Sequence, residues 1–165
     1  MPATFDSILN YTLPSNATSF TVSSISTAYT DLVVLIDGPA ISEVSMDGNM
    51  QFNGDTGSNY SYIRSQNDAC DTGNNTTAAS FSAPGNGGRF ATKIEIFSYS
   101  NTTSGVNKTY IARGGSWQNI GHINEHYMGM WRNTASAINS ITFISGQARN
   151  FIAGTKVQIF GILKA

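Results

Sequence analysis

The chain has 165 residues, 40% of them hydrophobic and only 12% charged, and its nine basic and ten acidic side chains leave a formal charge of −1. The length fits one domain, and charge this sparse, with no basic run, excludes a partner held through its phosphates, so no nucleic acid is expected. No apolar stretch approaches the roughly 18 residues of a membrane helix, the N-terminus lacks the basic and apolar regions of a signal peptide, and a lone cysteine, Cys70, excludes an internal disulfide and points to a reducing cytosol.

Period-2 alternation runs through the sequence, and helical periodicity is nearly absent. Phe5–Leu13 reads as a first strand, stopped by Pro14. Ser19–Ile25 alternates Phe20 and Val22 with Thr and Ser. Asp31–Ile36 is a continuous apolar run, as in a strand covered on both faces, closed by Asp37-Gly38-Pro39. Met50–Asn53 runs into the turn 53–57. Asn59–Arg64 follows, with Tyr60 and Tyr62 on one side. Asn53-Gly54 between two such runs predicts a hairpin. Residues 65–88 are rich in turn formers and poor in apolar side chains. They read as a long polar loop, or two loops around a short strand at Ala78–Ser82. A loop of that length is unusual enough to suggest a contact role.

Strong strands return at Phe90–Tyr99, where Phe90, Thr92, Ile94 and Ile96 share a face, and at Lys108–Ser116, Tyr127–Arg132, Ala137–Ile144 and Lys156–Leu163. Nine or ten strands joined by turn-rich connections, with no linker and no internal repeat, predict a single all-β domain, residues 1–165, folded as a sandwich or barrel. The low charge has a second reading. Unpaired charge is costly to bury, so a charge-poor surface suits a protein enclosed in an assembly.

One motif tests the non-catalytic expectation. His122-Ile123-Asn124-Glu125-His126 matches the H-x-x-E-H pattern of a zinc protease. On a helix the two histidines would share a face and reach one metal. On a strand they lie about 13 Å apart, too far for shared zinc bonds near 2 Å. No Asp or Glu follows Glu125 to supply a third ligand. The plain reading is a polar turn between strands. Cys70 lies between Asp68 and Asp71, whose charge opposes a reactive thiolate. Asp47-Gly48-Asn49 and Asn53-Gly54-Asp55 offer calcium-type oxygens but lack the spacing of an EF-hand, and Asp, Asn and Gly are the expected turn residues. Gly85-Asn86-Gly87-Gly88 precedes no helix and is a flexible turn. Carbohydrate stacking has candidates in Trp117, Trp131, Tyr60, Tyr62 and Tyr127, with Trp131 better suited to a core or interface. No catalytic, cofactor-binding or metal residue is assigned, and no cofactor is expected.

Several segments together resemble a recurrent class of tailed-bacteriophage virion proteins. They are ATFDSILNYTL (residues 3–13), SFTVSSIS (19–26), AYTDLVVLIDG (28–38), MQFNGDTGSNYSYIR (50–64) and the close INSITFISGQARNFIAGTKVQIFGI (138–162). The match covers both ends and most strands. It departs at Ser26-Thr27, where that class often has proline. The resemblance implies a jelly-roll β-sandwich and a place in the virion, assembled in the bacterial cytoplasm. Within that class the expected role is a capsid decoration (cement) protein, a homotrimer seated on the major capsid protein. The alternatives are a tail-fibre, baseplate or receptor-binding domain contacting host surface glycans, and a stand-alone carbohydrate-binding module. An enzyme and a membrane partner are not expected.

Overall fold

A computed structural model describes residues 5–39, 47–67, 69–83, 88–118, 121–146 and 149–163. Among these described residues twelve strands follow one another: β1 (Asp6–Thr12), β2 (Ser19–Val22), β3 (Asp31–Pro39), β4 (Asp47–Phe52), β5 (Tyr60–Gln66), β6 (Ala69–Thr76), β7 (Ala79–Ser82), β8 (Arg89–Phe97), β9 (Lys108–Gln118), β10 (Gly121–Trp131), β11 (Ile141–Ser145) and β12 (Lys156–Ile162). They form two antiparallel sheets, one of eight strands in the order β1-β12-β3-β8-β9-β10-β5-β6 and one of four in the order β2-β11-β4-β7. The protein is an all-β sandwich.

The pairing is nested. The first strand pairs with the last, β2 with β11, β3 with β8 and β4 with β7, and successive strands of the first half alternate between sheets. Two hairpins interrupt this frame. β5–β6 lies between β4 and β7 in the chain, and β9–β10 lies between β8 and β11. Both add to the large sheet beyond β8, with β9 on β8 and β10 on β5. The large sheet thus has a nested half and a four-strand extension.

Alternation sets which face is buried. In β8, Phe90, Thr92, Ile94 and Ile96 point inward while Arg89, Ala91 and Lys93 point out. The inward residues of both sheets merge into one core, in which Phe20, Met50, Phe52, Phe81 and Phe143 of the small sheet meet Leu32, Val34, Ile94, Tyr110 and Trp131 of the large one. Phe143 packs on Phe20 with centroids 5.2 Å apart and edge-on to Phe81 at 5.9 Å. Such pairs add about 0.5–1.5 kcal/mol each beyond the area they bury.

Polar ties join β5 and β9 of the extension, and β8 beside it, to the small sheet and the corner that follows β4. The Tyr60 hydroxyl on β5 accepts from the Phe52 amide at 3.0 Å and donates to the Asp55 carbonyl at 3.0 Å. The Tyr110 hydroxyl on β9 accepts from the Ser80 amide at 3.1 Å. Thr92 donates to the Ser82 carbonyl. These bonds satisfy backbone groups that the sandwich would otherwise bury unpaired, so the two sheets are joined by directed bonds as well as by apolar contact.

Three expectations need correction. Asn53-Gly54 does not close a hairpin: β4 pairs with β11 and β7, whereas β5 pairs with β10 and β6. The connection is a corner that carries the chain from one sheet to the other. The segment 65–88 is not one long loop: β7 at Ala79–Ser82 is the short strand expected near there, but the segment also holds the end of β5 and all of β6. Its sequence hides β6 because an edge strand that is exposed along most of its length needs no apolar alternation. The H-x-x-E-H segment is not a turn but the first half of β10. These pieces raise the strand number to twelve.

Candidate functional site

The corner at 53–59 holds the densest polar network. Asn53 and Gly54 both take positive φ, 54° and 67°, a conformation that asparagine tolerates and glycine adopts freely. The Asn53 side chain then spans to the loop before β11. Its amide nitrogen donates to the Ala137 carbonyl at 2.7 Å, and its oxygen accepts from the Asn139 and Ser140 amides at 2.9 and 3.2 Å. The Asp55 carboxylate accepts from the Trp131 indole at 2.7 Å, the Asn59 amide at 2.9 Å and the Gly57 backbone at 2.8 Å. Partial burial alone would raise the Asp55 pKa, but those three donors outweigh it and the net shift is downward. Arg132 completes the corner with bonds to Ser61, the Ser58 carbonyl and Asn75. The carboxylate is occupied by protein donors, so this is a clamp that orients β5 against β10. The other calcium-type triplet, 47–49, begins β4 and forms no loop.

The zinc-type motif is pulled apart by its strand. Glu125 faces inward, 1% exposed, 3.6 Å from the Arg64 guanidinium. His126 faces outward beside Arg113 and Ser65, and His122 pairs with Trp117 farther along the ladder. Among the described residues no three His, Cys, Asp or Glu side chains gather as a metal cluster. Cys70 is exposed on the edge strand β6, opposite Ser65. Of the proposed stacking aromatics, Tyr60, Tyr127 and Trp131 are buried and present no ring face to solvent. Tyr62 is half-buried, and the side chain of Trp117 lies outside the described residues. The glycine-rich stretch 85–88 also falls there, except Gly88.

Sequence reasoning missed the outward face of the extension. Here the register lines up Ile63 of β5, Met128 of β10 and Ile111 of β9 directly across the strands. Met130 and Phe97 flank Thr109 in the next row. Ile63 and Met128 are 56% and 60% exposed. Between these side chains and Asn74 runs an open apolar trough of about 550 Å³, a size in the range of binding sites. One row away on the same face, His126, Arg113 and Lys93 stand side by side. Lys93 pairs with Glu95 at 2.9 Å. The signal was present in the run Tyr127–Trp131, which is apolar at every side-chain-bearing position and therefore leaves apolar groups on both faces of its strand.

A second, smaller depression of about 280 Å³ is mixed in character and lies against the small sheet, lined by Asn49, Gln51, Thr76 and Thr77 together with Tyr62 and Ile144. Gln51 donates to the Thr77 carbonyl at 3.0 Å within it.

No protein-family model, no curated protein and no solved structure matches the chain.

Proposed function

We propose that the protein is a non-enzymatic structural component of a tailed-phage virion, a capsid decoration (cement) protein that seats on the major capsid protein in more than one copy and is assembled in the bacterial host cytoplasm. The observation that supports this reading most is the nested strand order. The order β1-β12-β3-β8 over β2-β11-β4-β7 supports reading the sandwich as a jelly roll, an architecture of viral capsid domains and lectins. The segments that resemble phage virion proteins supply the frame of that order and its main corner, with Asn53, Asp55 and Asn59 acting as turn and clamp residues. A motif that works by shaping the chain suits a structural protein, since none of these groups is left with free chemistry. The low charge also agrees with a surface enclosed in an assembly.

The test is direct. Purified protein is mixed with expanded empty capsids of the cognate phage and with host cells. Saturable binding to capsids at a fixed number of copies, with raised capsid stability, is expected. Failure to bind capsids together with retention on cells overturns the decoration role.

The depression beside Tyr62 favours a second reading, a tail-fibre or baseplate domain, or a free-standing carbohydrate-binding module, that contacts surface glycans. Half-buried Tyr62 stands there among the amides and hydroxyls of Asn49, Gln51, Thr76 and Thr77, polar groups of the kind such ligands bond. Binding on a glycan array that disappears in Tyr62→Ala and Gln51→Ala would favour it over decoration.

A further inference from the structure

No described residue covers the outward face of the extension, and its chemistry is self-complementary. We infer that a second copy of this chain packs on it, sheet face against sheet face, about a two-fold axis. The inference stands independently of the virion reading and replaces the three-fold assembly that the resemblance implies with a two-fold one, because a face that binds its own like closes at two copies.

Three observations lead there. First, the apolar side chains are central and contiguous. Ile63, Met128 and Ile111 form a row across three strands, with Phe97 and Met130 beside them. Scattered exposed apolar residues need no explanation, but a joined patch does. Second, the face is large enough. The extension alone is four of the sheet's eight strands, but its outward row runs on through Glu95 to Val33 and Phe160 of the nested half. The whole outward face, eight strands spaced about 4.8 Å apart with roughly seven residues each at about 3.4 Å, spans on the order of 900 Å². A standard interface uses about 800 Å² per partner. Third, the charges fit a like partner. Glu95 lies directly across from Ile111, and Arg113 lies two residues along the same strand on the same face. The Arg113 side chain is exposed. A two-fold that sets Glu95 of one copy against Arg113 of the other makes two ion pairs at the rim of the apolar centre. The formal charge of −1 opposes association very little. A twisted sheet is saddle-shaped, so two such faces fit best when their strands cross steeply, as in orthogonal sheet packing.

The test uses the full chain in sedimentation velocity and native mass spectrometry across the micromolar range. The wild type is expected to be a dimer. Met128→Asp places a charge at the centre and is expected to weaken the dimer by about 30-fold or more, the effect of losing a central contact. Thr142→Asp, on the outward face of the small sheet, is the control and leaves the dimer intact. A charge swap gives an arm that does not depend on whether Met128→Asp folds: Glu95→Arg and Arg113→Glu each weaken the dimer, and the double variant restores it. A monomer at all concentrations, a trimer, or a dimer indifferent to both Met128→Asp and the swap overturns the inference.

Discussion

On the outward face of the four-stranded sheet, Thr21 and Thr142 bond hydroxyl to hydroxyl across the strands at 2.9 Å, and Asn49 and Gln51 bond to Ser80 and Thr77. On the outward face of the large sheet's extension, the same kind of cross-strand positions hold Ile63, Met128 and Ile111. Both faces belong to antiparallel sheets over one core, so burial inside the chain does not account for the difference. At these positions the small sheet keeps the rule of apolar inside and polar outside, with Ile144 and Ser145 at the end of β11 as its exceptions. The extension breaks it on strands that the nested frame does not need. The two hairpins thus carry a second apolar surface, which begins at Phe97 of β8 and depends on the supports that hold the hairpins in register.

The strongest of those supports is the clamp at the corner. Asp55→Ala strands the Trp131 indole N–H in the core and releases Asn59 and the Gly57 amide. Bonds to a charged group contribute about 1.5–3 kcal/mol each, so a loss of roughly 3 kcal/mol is expected by urea denaturation. The comparison predicts where the loss falls. Hydrogen exchange should rise in β5, β6 and the end of β10 ahead of β2 and β11. Uniform loss of protection across both sheets would break the idea that the extension is a separate tier of the fold.

The next support is a close approach. A Cβ on Gly129 would lie 2.5 Å from the Ser61 carbonyl oxygen and from the Tyr110 ring. The ring of Tyr110 is held by its bond to Ser80, and the carbonyl belongs to the β5 backbone, so neither moves cheaply. Gly129→Ala is expected to cost about 2 kcal/mol through overpacking and to lower the thermal midpoint. Gly154→Ala, where a Cβ has open space around it, provides the contrast. Its cost comes from a φ of +89° alone and should be about 1 kcal/mol.

How far the sequence discloses this depends on which rule each strand obeys. β8 and β12 are legible from alternation, because each has one buried face and one wet one. β3 is legible as a continuous run, and Val33 on its outward side is indeed buried. β6 is illegible, since the side chains of Ala69–Thr76 carry no apolar period; beyond the backbone ladder its ties are polar, Asp71 to Arg64 and Asn75 to Arg132. The corner is misleading for a physical reason. Asn53-Gly54 has the dihedral preferences of a hairpin turn, and it takes positive φ as such turns do. Its asparagine spends its side chain on residues 137–140, which turns the chain toward the other sheet. The outward apolar face is half legible: Met128 and Met130 alternate with inward Tyr127, Gly129 and Trp131, but only the register with Ile63 and Ile111 shows that they join into a surface.

A smaller effect separates the two faces themselves. Met128→Lys replaces an exposed side chain and is expected to leave stability within about 0.5 kcal/mol at concentrations where the chain is monomeric. Thr142→Val removes one exposed hydroxyl pair and is expected to cost a similarly small amount. Binding of an apolar fluorescent dye should distinguish them. Met128→Lys should reduce the signal and Thr142→Val should not. Equal dye binding in both would place the apolar surface elsewhere.

The pH profile has the smallest effect near neutrality, and it sharpens the comparison because its groups sit on the supports of the extension. The Asp55 pKa is lowered in the fold from the ordinary 3.8. Its contribution is therefore complete above that value and is lost as pH falls through the folded value, so Asp55→Asn should flatten the acid limb. Burial raises the pKa of Tyr60 and Tyr110 above the ordinary 10. Their hydroxyls stay protonated in the fold while the unfolded chain ionises, so their contribution is complete below 10 and lost above it. Lys108 acts in the opposite sense. Burial lowers its pKa from 10.5, so between its folded value and 10.5 the unfolded chain binds more protons and stability rises with pH. Tyr29 and Tyr99 are raised as well, so four tyrosines stand against one lysine and the net is a fall above pH 10. In Tyr110→Phe that fall should shrink, while the lost bond to the Ser80 amide lowers stability at neutral pH. An alkaline limb unchanged in Tyr110→Phe and in Tyr60→Phe would mean that the hydroxyls do not tie the extension to the small sheet.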